Sequence, residues 1–232
     1  MQKIHTTIPI LITVIFFTAW LGCKNRAQSD TTTALDSTLV DEEEPGSNTG
    51  VKTILFFGNS LTAGYGLEIS EAFPALIQKK IDSLGLKYNV INAGLSGETS
   101  ADGRSRIDWL LDQKVDIFVL ELGANDGLRG IPPDETRRNL RSIIEQVRAK
   151  NPQVKILLLG MEVPPNLGED YAREFRTVFK DLADSLDTAF LPFLLEGVAG
   201  EPELNLPDGI HPTPEGHKIV AENIWKALQP LL

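Results

Sequence analysis

The feature that most constrains this chain is an alternation of short apolar runs with segments of helical periodicity, beginning near residue 51. The runs cover 52–57, 88–92, 115–122 and 154–160, and a weaker one covers 188–191. Short runs that are apolar throughout are typical of strands covered on both faces. We therefore expect a central parallel sheet of about five strands.

Helical stripes fill the gaps between these runs. Apolar residues recur at intervals of three and four in three sets: Phe73, Leu76, Ile77, Ile81 and Leu84; Leu140, Ile143, Ile144 and Val147; Tyr171, Phe175, Val178, Phe179 and Leu182. A last stripe covers Ile219, Val220, Ile224, Trp225 and Leu228, behind Thr213 as a candidate cap and Pro214 in the first turn. The alternation predicts a three-layer α/β/α sandwich, in which ligands bind at the carboxyl ends of the strands.

The first 22 residues resemble a bacterial lipoprotein signal peptide. Lys3 precedes an apolar or neutral run over 8–22, and Gly22 stands directly before Cys23, the single cysteine. The resemblance implies cleavage before Cys23, diacylglycerol on its thiol, and a protein anchored to a membrane on the periplasmic or outer side. The alternative is an uncleaved membrane helix over 4–22, because about 20 apolar residues span a bilayer. Both interpretations place the protein outside the cytoplasm.

Residues 23–50 are predicted to form a flexible acidic linker. They are rich in Thr, Ser, Asp and Glu, include the sequence DEEEPGSNTG, and show neither helical nor strand periodicity. The folded domain is expected to cover 51–232, which is long enough for one domain with a full hydrophobic core.

The charge balance and the lack of metal motifs exclude several function classes. Asp and Glu number 32 against 22 Lys and Arg, a formal net charge of -10, so a nucleic-acid backbone would be repelled. One cysteine cannot build a thiolate cluster, and neither an HExxH motif nor a calcium-binding loop is present. We expect no nucleic-acid partner, no metal and no cofactor.

Ser60 follows the first predicted strand, in Gly58-Asn59-Ser60-Leu61, with further glycines at 64 and 66. A serine hydroxyl at a strand end is well placed to act as a nucleophile. The alternative is a plain connection or a phosphate-binding loop, although neither the Walker pattern nor the dinucleotide pattern is present.

Histidine is the side chain best suited to activate a serine at neutral pH, and the chain has three. His5 lies in the export signal, and His217 lies inside the last predicted helix, where a solvated or packed structural role is expected. His211 lies in Asp208-Gly209-Ile210-His211-Pro212, where Asp208 is close enough in sequence to orient the imidazole. The alternative is a surface loop whose Asp and His cap the helix.

Two further strand ends offer hydrogen-bond donors for an oxyanion. Asn92-Ala93-Gly94 follows the second strand, and Gly123-Ala124-Asn125-Asp126 follows the third. We expect the backbone N–H of Gly94 and the side-chain amide of Asn125 to reach the pocket that contains Ser60. Either segment alone is also typical of a turn.

In this order and spacing, GNSL, NAGLSGETS, ELGANDGLRG and DGIHP resemble the four principal blocks of the SGNH, or GDSL, hydrolases. With the LPF segment at 191–193, the chain is most similar to the bacterial thioesterase I/lysophospholipase/arylesterase group, from about residue 52 to the C-terminus.

The resemblance implies a flavodoxin-like SGNH hydrolase fold, Ser60 as nucleophile, Asp208 and His211 as acid and base, and an oxyanion hole of the Ser60 N–H, Gly94 and Asn125. One departure is Asn59, where the GDSL pattern has aspartate. We expect this residue to alter loop hydrogen bonding without abolishing activity.

The expected function is hydrolysis of carboxylic esters or thioesters through an acyl-serine intermediate, as in arylesterases, acyl-CoA thioesterases and lysophospholipases. Segments 127–133 and 163–170 are expected to leave the sheet beside the site, and we hypothesise that they shape the acyl pocket. The alternatives are a carbohydrate acetylesterase of the same superfamily and a non-catalytic binding lipoprotein.

Overall fold

The structure is a computed structural model that describes residues 50–232. The predicted signal peptide and linker, with His5 and Cys23, lie outside the described residues. None of the helices within 50–232 is both long and apolar enough to span a bilayer.

A parallel sheet of five strands forms the centre of the described domain. Its strands are β1 Lys52–Gly58, β2 Tyr88–Gly94, β3 Ile117–Glu121, β4 Lys155–Leu159 and β5 Ala189–Leu191. Their order in the sheet is β2-β1-β3-β4-β5, and every neighbouring pair is parallel. The chain therefore passes from β1 to β2 on one side and then crosses back to β3 on the other side of β1. Parallel sheets bind ligands beyond the carboxyl ends of the strands at such a switch point.

Helices cover both faces of the sheet. They are α1 Ser60–Ala63, α2 Phe73–Ser83, α3 Ser100–Arg106, α4 Ala124–Leu128, α5 Pro133–Lys150, α6 Glu169–Leu186 and α7 Pro214–Leu228. Helices α2 and α7 pack together, and α5 packs against both α3 and α6. The predicted three-layer α/β/α fold is confirmed.

Adjacent residues of β1 show how the sheet separates these layers. The Phe56 ring packs edge-on against Phe73 of α2, with 5.7 Å between ring centroids. The Phe57 ring lies 4.4 Å below the guanidinium of Arg106 in α3. Both phenylalanines are fully buried. Because successive strand side chains point to opposite faces, an apolar run like that of β1 supplies the core on both sides of the sheet.

Short helices account for most differences from the sequence-based expectation. The helical stripes predicted α2, α5, α6 and α7, whereas α1, α3 and α4 have four, seven and five residues and no apolar stripe of their own. Leu84, predicted on the first stripe, is 56% exposed because α2 ends at Ser83. The Thr213 cap is confirmed, since its hydroxyl accepts a 3.2 Å hydrogen bond from the Gly216 N–H.

Candidate active site

Ser60 lies at the N-terminus of α1, directly beyond the carboxyl end of β1. The side chain of Asn59 caps this one-turn helix by accepting a 2.9 Å hydrogen bond from the Leu61 N–H. The helix ends at Gly64, whose φ of 77° is favourable for glycine. This tight turn places the Ser60 hydroxyl at the rim of the sheet.

The structure brings the three residues of the predicted triad into one hydrogen-bonded line. His211 Nε2 lies 2.9 Å from Ser60 Oγ, across 151 positions of sequence. On the other side of the imidazole, Nδ1 lies 2.7 Å from Asp208 Oδ2. Because an ionised carboxylate only accepts hydrogen bonds, Asp208 assigns the proton to Nδ1 and leaves Nε2 free to accept the Ser60 proton.

The loop that holds Asp208 favours the ionised carboxylate. Its Oδ1 accepts hydrogen bonds from the backbone N–H groups of Ile210 and His211, both 3.0 Å long. The Ile210 hydrogen bond, followed by that of the His211 side chain, lowers the pKa of Asp208 to about 2. Asp208 therefore carries its charge throughout the neutral range, as the role predicted for it requires.

Two further contacts fix the imidazole. The Leu206 N–H donates a 2.7 Å hydrogen bond to the His211 carbonyl. The Tyr65 ring, half of which is exposed, lies over the imidazole with 4.5 Å between ring centroids. His211 is thus held by its backbone, by Asp208 and by an aromatic ring.

Asn125 lies in α4 beside the cavity that contains Ser60. Its Nδ2 donates a 2.9 Å hydrogen bond to the Glu98 carbonyl, which leaves the second N–H of the amide for another acceptor. The next residue, Asp126, is fully buried and accepts hydrogen bonds from the Ser100 N–H and the Thr136 hydroxyl. These bonds fix α4 to α3 and α5, so the orientation of Asn125 is rigidly supported.

Gly94 does not occupy the position predicted for it. It is the last residue of β2 and is absent from the cavity wall, and its N–H donates to the Asn92 Oδ1 at 3.0 Å. A Cβ at Gly94 would lie 2.2 Å from the Ala63 nitrogen, so this glycine serves the close approach of β2 to α1. The prediction of Gly94 as an oxyanion donor is therefore corrected by the hydrogen bonding of the strand end.

Gly97, three residues further on, lines the cavity instead. Its φ of +83° suits glycine, and its N–H has no hydrogen-bond partner within residues 50–232. Arg129 Nη2 donates to the Gly97 carbonyl at 2.9 Å and so anchors the peptide that links Gly97 to Glu98. The same sequence block contains both glycines. Gly94 is the last residue of β2 that pairs with β1, whereas Gly97 lies in the turn beyond the strand. This difference in position decides which of the two glycines faces the cavity.

The cavity beside the triad has a volume of about 660 Å³ and a largely apolar wall. Leu128 and Val163 come from the two segments that were expected to leave the sheet here. The apolar side chains on the wall are Leu61, Tyr65, Ala124, Leu128, Met161, Val163, Pro164, Phe193, Leu195, Ala199 and Ile210. The triad therefore stands at one side of a space that suits an apolar group.

His217 has the packed structural role that was one of the two expected for it. It is 1% exposed, stacks on Phe73, and accepts the Phe73 N–H at Nδ1 over 3.1 Å. Burial, assisted by the charge of His211, lowers the pKa of His217 to about 4. Within residues 50–232, no group of three His, Cys, Asp or Glu side chains is arranged to bind a metal ion.

Known proteins with similar sequences are ester hydrolases. The chain is 42% identical over 182 residues to Esterase TesA of Pseudomonas aeruginosa, covering 78% of this chain and 90% of the relative. It is 41% identical over 181 residues to Thioesterase 1/protease 1/lysophospholipase L1 of Escherichia coli K12, covering 78% and 85%. It is 37% identical over 176 residues to Arylesterase of Vibrio mimicus, covering 75% and 87%.

Structural similarity agrees with the sequence comparison. The crystal structure of TesA matches with a TM-score of 0.75 at 42% identity, covering 78% of this chain and 100% of the other. Residues 56–219 match the GDSL-like lipase/acylhydrolase family, a range that includes Ser60, Asn125, Asp208 and His211. The chain therefore belongs to the GDSL-like lipase/acylhydrolase family and is a carboxylic ester hydrolase.

Proposed function

We propose that this enzyme hydrolyses esters or thioesters of extended acyl chains, with Ser60 as the nucleophile, His211 as the base and Asp208 as the residue that orients the base. The observation that carries the proposal is the pair of contacts on the imidazole, 2.9 Å from Ser60 Oγ and 2.7 Å from Asp208 Oδ2. Both distances lie within the hydrogen-bond reach that proton transfer requires.

In the acylation step, His211 Nε2 accepts the hydroxyl proton while Ser60 Oγ attacks the carbonyl carbon. The carbonyl oxygen becomes an oxyanion, for which we assign three donors: the Ser60 N–H, the Gly97 N–H and the Asn125 Nδ2. Preorganised donors at such a position stabilise the charge that develops in the transition state. His211 then returns the proton to the departing alcohol or thiol.

In the deacylation step, His211 removes a proton from water, and the resulting hydroxide attacks the acyl-serine carbonyl. The tetrahedral intermediate forms at the same donors and collapses to a carboxylic acid, while His211 returns its proton to Ser60. Asp208 stays ionised throughout and stabilises the imidazolium formed in each half of the cycle.

The apolar cavity supports an extended acyl group rather than acetyl. Met161, Val163 and Phe193 line a space of about 660 Å³, far more than one methyl group fills. Burial of each methylene group contributes about 0.8 kcal/mol. Longer chains are therefore expected to bind more tightly until the cavity is filled.

The nucleophile is tested with Ser60→Ala and with a fluorophosphonate probe. We expect labelling of the parent enzyme at Ser60, and a loss of turnover by about 10,000-fold or more in the variant. An exposed serine of α3, Ser105, provides the control, because Ser105→Ala should keep both labelling and turnover. Ester hydrolysis retained by Ser60→Ala contradicts the proposed mechanism.

The acyl preference is tested by kcat/KM for p-nitrophenyl esters from acetyl to dodecanoyl, with an acyl-CoA and a lysophospholipid alongside. A rise with chain length supports the proposed acyl pocket. A preference for acetyl that extends to acetylated glycans favours a carbohydrate acetylesterase. Absence of both turnover and fluorophosphonate labelling favours a binding lipoprotein.

We also propose that Cys23 carries a lipid that anchors the enzyme outside the cytoplasm. The support is the sequence alone: an apolar run that ends at Gly22, with the single cysteine directly after it. Mass analysis of membrane fractions should show a processed, lipidated protein, and Cys23→Ala should lose both processing and lipid. Unchanged processing and mass in that variant contradicts the proposed anchor.

A further inference from the structure

A fully buried carboxylate lies directly behind the nucleophile and takes no part in the proposed cycle. Glu121 ends β3 and is 1% exposed. Within residues 50–232, its hydrogen-bond partners belong to Asn59 and Thr62, on either side of Ser60, and no charged side chain pairs with it. A buried carboxylate is costly unless it is hydrogen-bonded, so its presence requires an explanation.

The contacts of Glu121 converge on the turn that carries Ser60. Glu121 Oε1 accepts the Asn59 Nδ2 at 2.8 Å, and Oε2 accepts the Asn59 backbone N–H at 3.1 Å and the Thr62 hydroxyl at 2.8 Å. There is no spare room at this point, because a Cβ at Gly58 would lie 2.5 Å from Oε2.

Asn59 uses both ends of its amide. Its Nδ2 binds Glu121, while its Oδ1 accepts the Leu61 N–H at 2.9 Å and so caps α1. The amide cannot be flipped without placing its oxygen against the carboxylate and its NH2 group against the Leu61 N–H. The orientation of α1 is therefore coupled to the carboxylate across 62 positions of sequence.

We infer that Glu121 is a positioning residue for the nucleophile, and that its carboxylate and the amide of Asn59 form a matched acceptor and donor pair that holds the turn of Ser60. This inference rests on the proposed role of Ser60 as the nucleophile. On this inference, activity requires that each hydrogen-bond donor of the pair faces an acceptor. The charge at either position alone does not decide activity.

The ionisation of Glu121 agrees with this role. Burial raises the pKa of Glu121 to about 7, against the opposing effect of the hydrogen bonds from Thr62 and Asn59. The two N–H groups of Asn59 can only donate, so they are matched to the ionised carboxylate. Above neutral pH the carboxylate form predominates, and the pair needs no proton between its two side chains.

The test is a reciprocal exchange of the two groups. Glu121→Gln alone sets an NH2 group against the Asn59 NH2 group in one orientation of the new amide and against the Asn59 backbone N–H in the other, and we expect kcat to fall by about tenfold or more. Asn59→Asp alone sets two carboxylates together, which must share a proton. Its kcat should fall as pH rises from about 7 to 9, because that proton is lost, whereas the parent enzyme stays active.

The double variant Asn59→Asp, Glu121→Gln moves the carboxylate from position 121 to position 59. The amide introduced at position 121 donates to the carboxylate introduced at position 59. The second oxygen of that carboxylate still accepts the Leu61 N–H. The amide oxygen at position 121 accepts the backbone N–H of position 59 and the Thr62 hydroxyl. We expect kcat within about threefold of the parent, and loss of the alkaline decline.

Three controls make the result specific. Asn89→Asp makes the same change at an exposed position of β2 and should keep the parent pH profile. Thermal melts follow the fold of every variant, and if a single variant does not fold, recovery of both fold and kcat in the double variant tests the same contact. Ser60→Ala is assayed in parallel, so a wrong nucleophile is recognised separately.

A double variant no better than the product of the two single variants overturns the inference. So does a parent-like pH profile in Asn59→Asp. Recovery of kcat together with loss of the alkaline decline supports it, because a merely structural role for either residue would not restore the pH profile.

Discussion

At the scale of single residues, the site depends on which hydrogen-bonding groups are already used and which are left for the substrate. The amide of Asn125 has one N–H bound to the Glu98 carbonyl and one available. Among the described residues, the Gly97 N–H has no acceptor, whereas that of Gly94 is bound to Asn92. Which of these two glycines can donate to a substrate therefore depends on whether its N–H is already hydrogen-bonded, and not on residue type.

Replacement of Asn125 by alanine tests the side-chain donor. We expect kcat to fall by about 100-fold to 1,000-fold with little change in KM, because the donor binds the oxyanion more strongly than the ground-state carbonyl. Steady-state kinetics on a soluble ester give both constants. A rise in KM at unchanged kcat would indicate substrate binding instead of transition-state stabilisation.

Arg129 tests the backbone donor, since its guanidinium holds the Gly97 carbonyl from the exposed side. We expect Arg129→Ala to lower kcat by about tenfold, because the turn that carries Gly97 loses its anchor on the carbonyl side of this residue, while the other two donors remain. Arg138→Ala removes an exposed arginine of α5 and is the matched control for charge. Equal kcat in both variants contradicts the role assigned to Gly97.

At the scale of elements, helices with an apolar stripe were predictable and one-turn helices were not. The stripe of α6 packs Phe175, Phe179 and Leu182 into the core, as its spacing indicates. Helices α1 and α4 follow strand ends, and their residues are held by Asn59 and Asp126 through contacts with other elements. For α3, the capping box of Thr99 and Asp102 was a usable local signal.

His217 joins two elements, because it lies in α7 and accepts the first N–H of α2. Its pKa of about 4 in the folded protein lies below the value of about 6.5 for an unfolded chain. The unfolded chain therefore binds the proton first, so the free energy of unfolding falls as pH drops from about 6.5 to 4. The loss from this residue reaches about 3 kcal/mol.

Denaturant unfolding at several pH values checks this linkage. His217→Asn keeps an acceptor for the Phe73 N–H and removes the titrating group, so its stability should depend less on pH between about 4 and 6.5. Glu121, with its raised pKa, changes stability in the opposite direction, but it is common to both proteins and cancels in the comparison. If the free energy of unfolding changes equally with pH in the parent and in His217→Asn, the pH dependence assigned to His217 is wrong.

At the scale of the whole molecule, one sheet collects residues from all parts of the domain at one edge. Ser60 follows β1, Gly97 follows β2 and Asn125 follows β3. Asp208 and His211 come from the connection between β5 and α7. Parallel strands make this convergence possible, because their carboxyl ends meet at the same edge of the sheet.

This convergence predicts that residues 50–232 suffice for both fold and activity. A protein that begins at Gly50 should hydrolyse a soluble ester with kcat/KM within about twofold of the full chain, because residues 50–232 contain a continuous buried core together with the candidate site. A comparison of kcat/KM and thermal melts between the two proteins is the measurement. A large loss of either assigns the first 49 residues a part in the folded enzyme.

Sequence by itself determined the layered α/β architecture, the strands and long helices, the family, and the identity of Ser60, Asp208 and His211 as the residues to bring together. The architecture and the candidate residues follow from periodicity and residue chemistry, which are local properties, and the family follows from the resemblance of four sequence blocks. Only the tertiary structure decided that Gly97, not Gly94, faces the cavity, and that Glu121 holds the turn of Ser60. Both depend on where β1 stops pairing with its neighbours and on contacts between distant residues, and a one-residue change in that register would alter them.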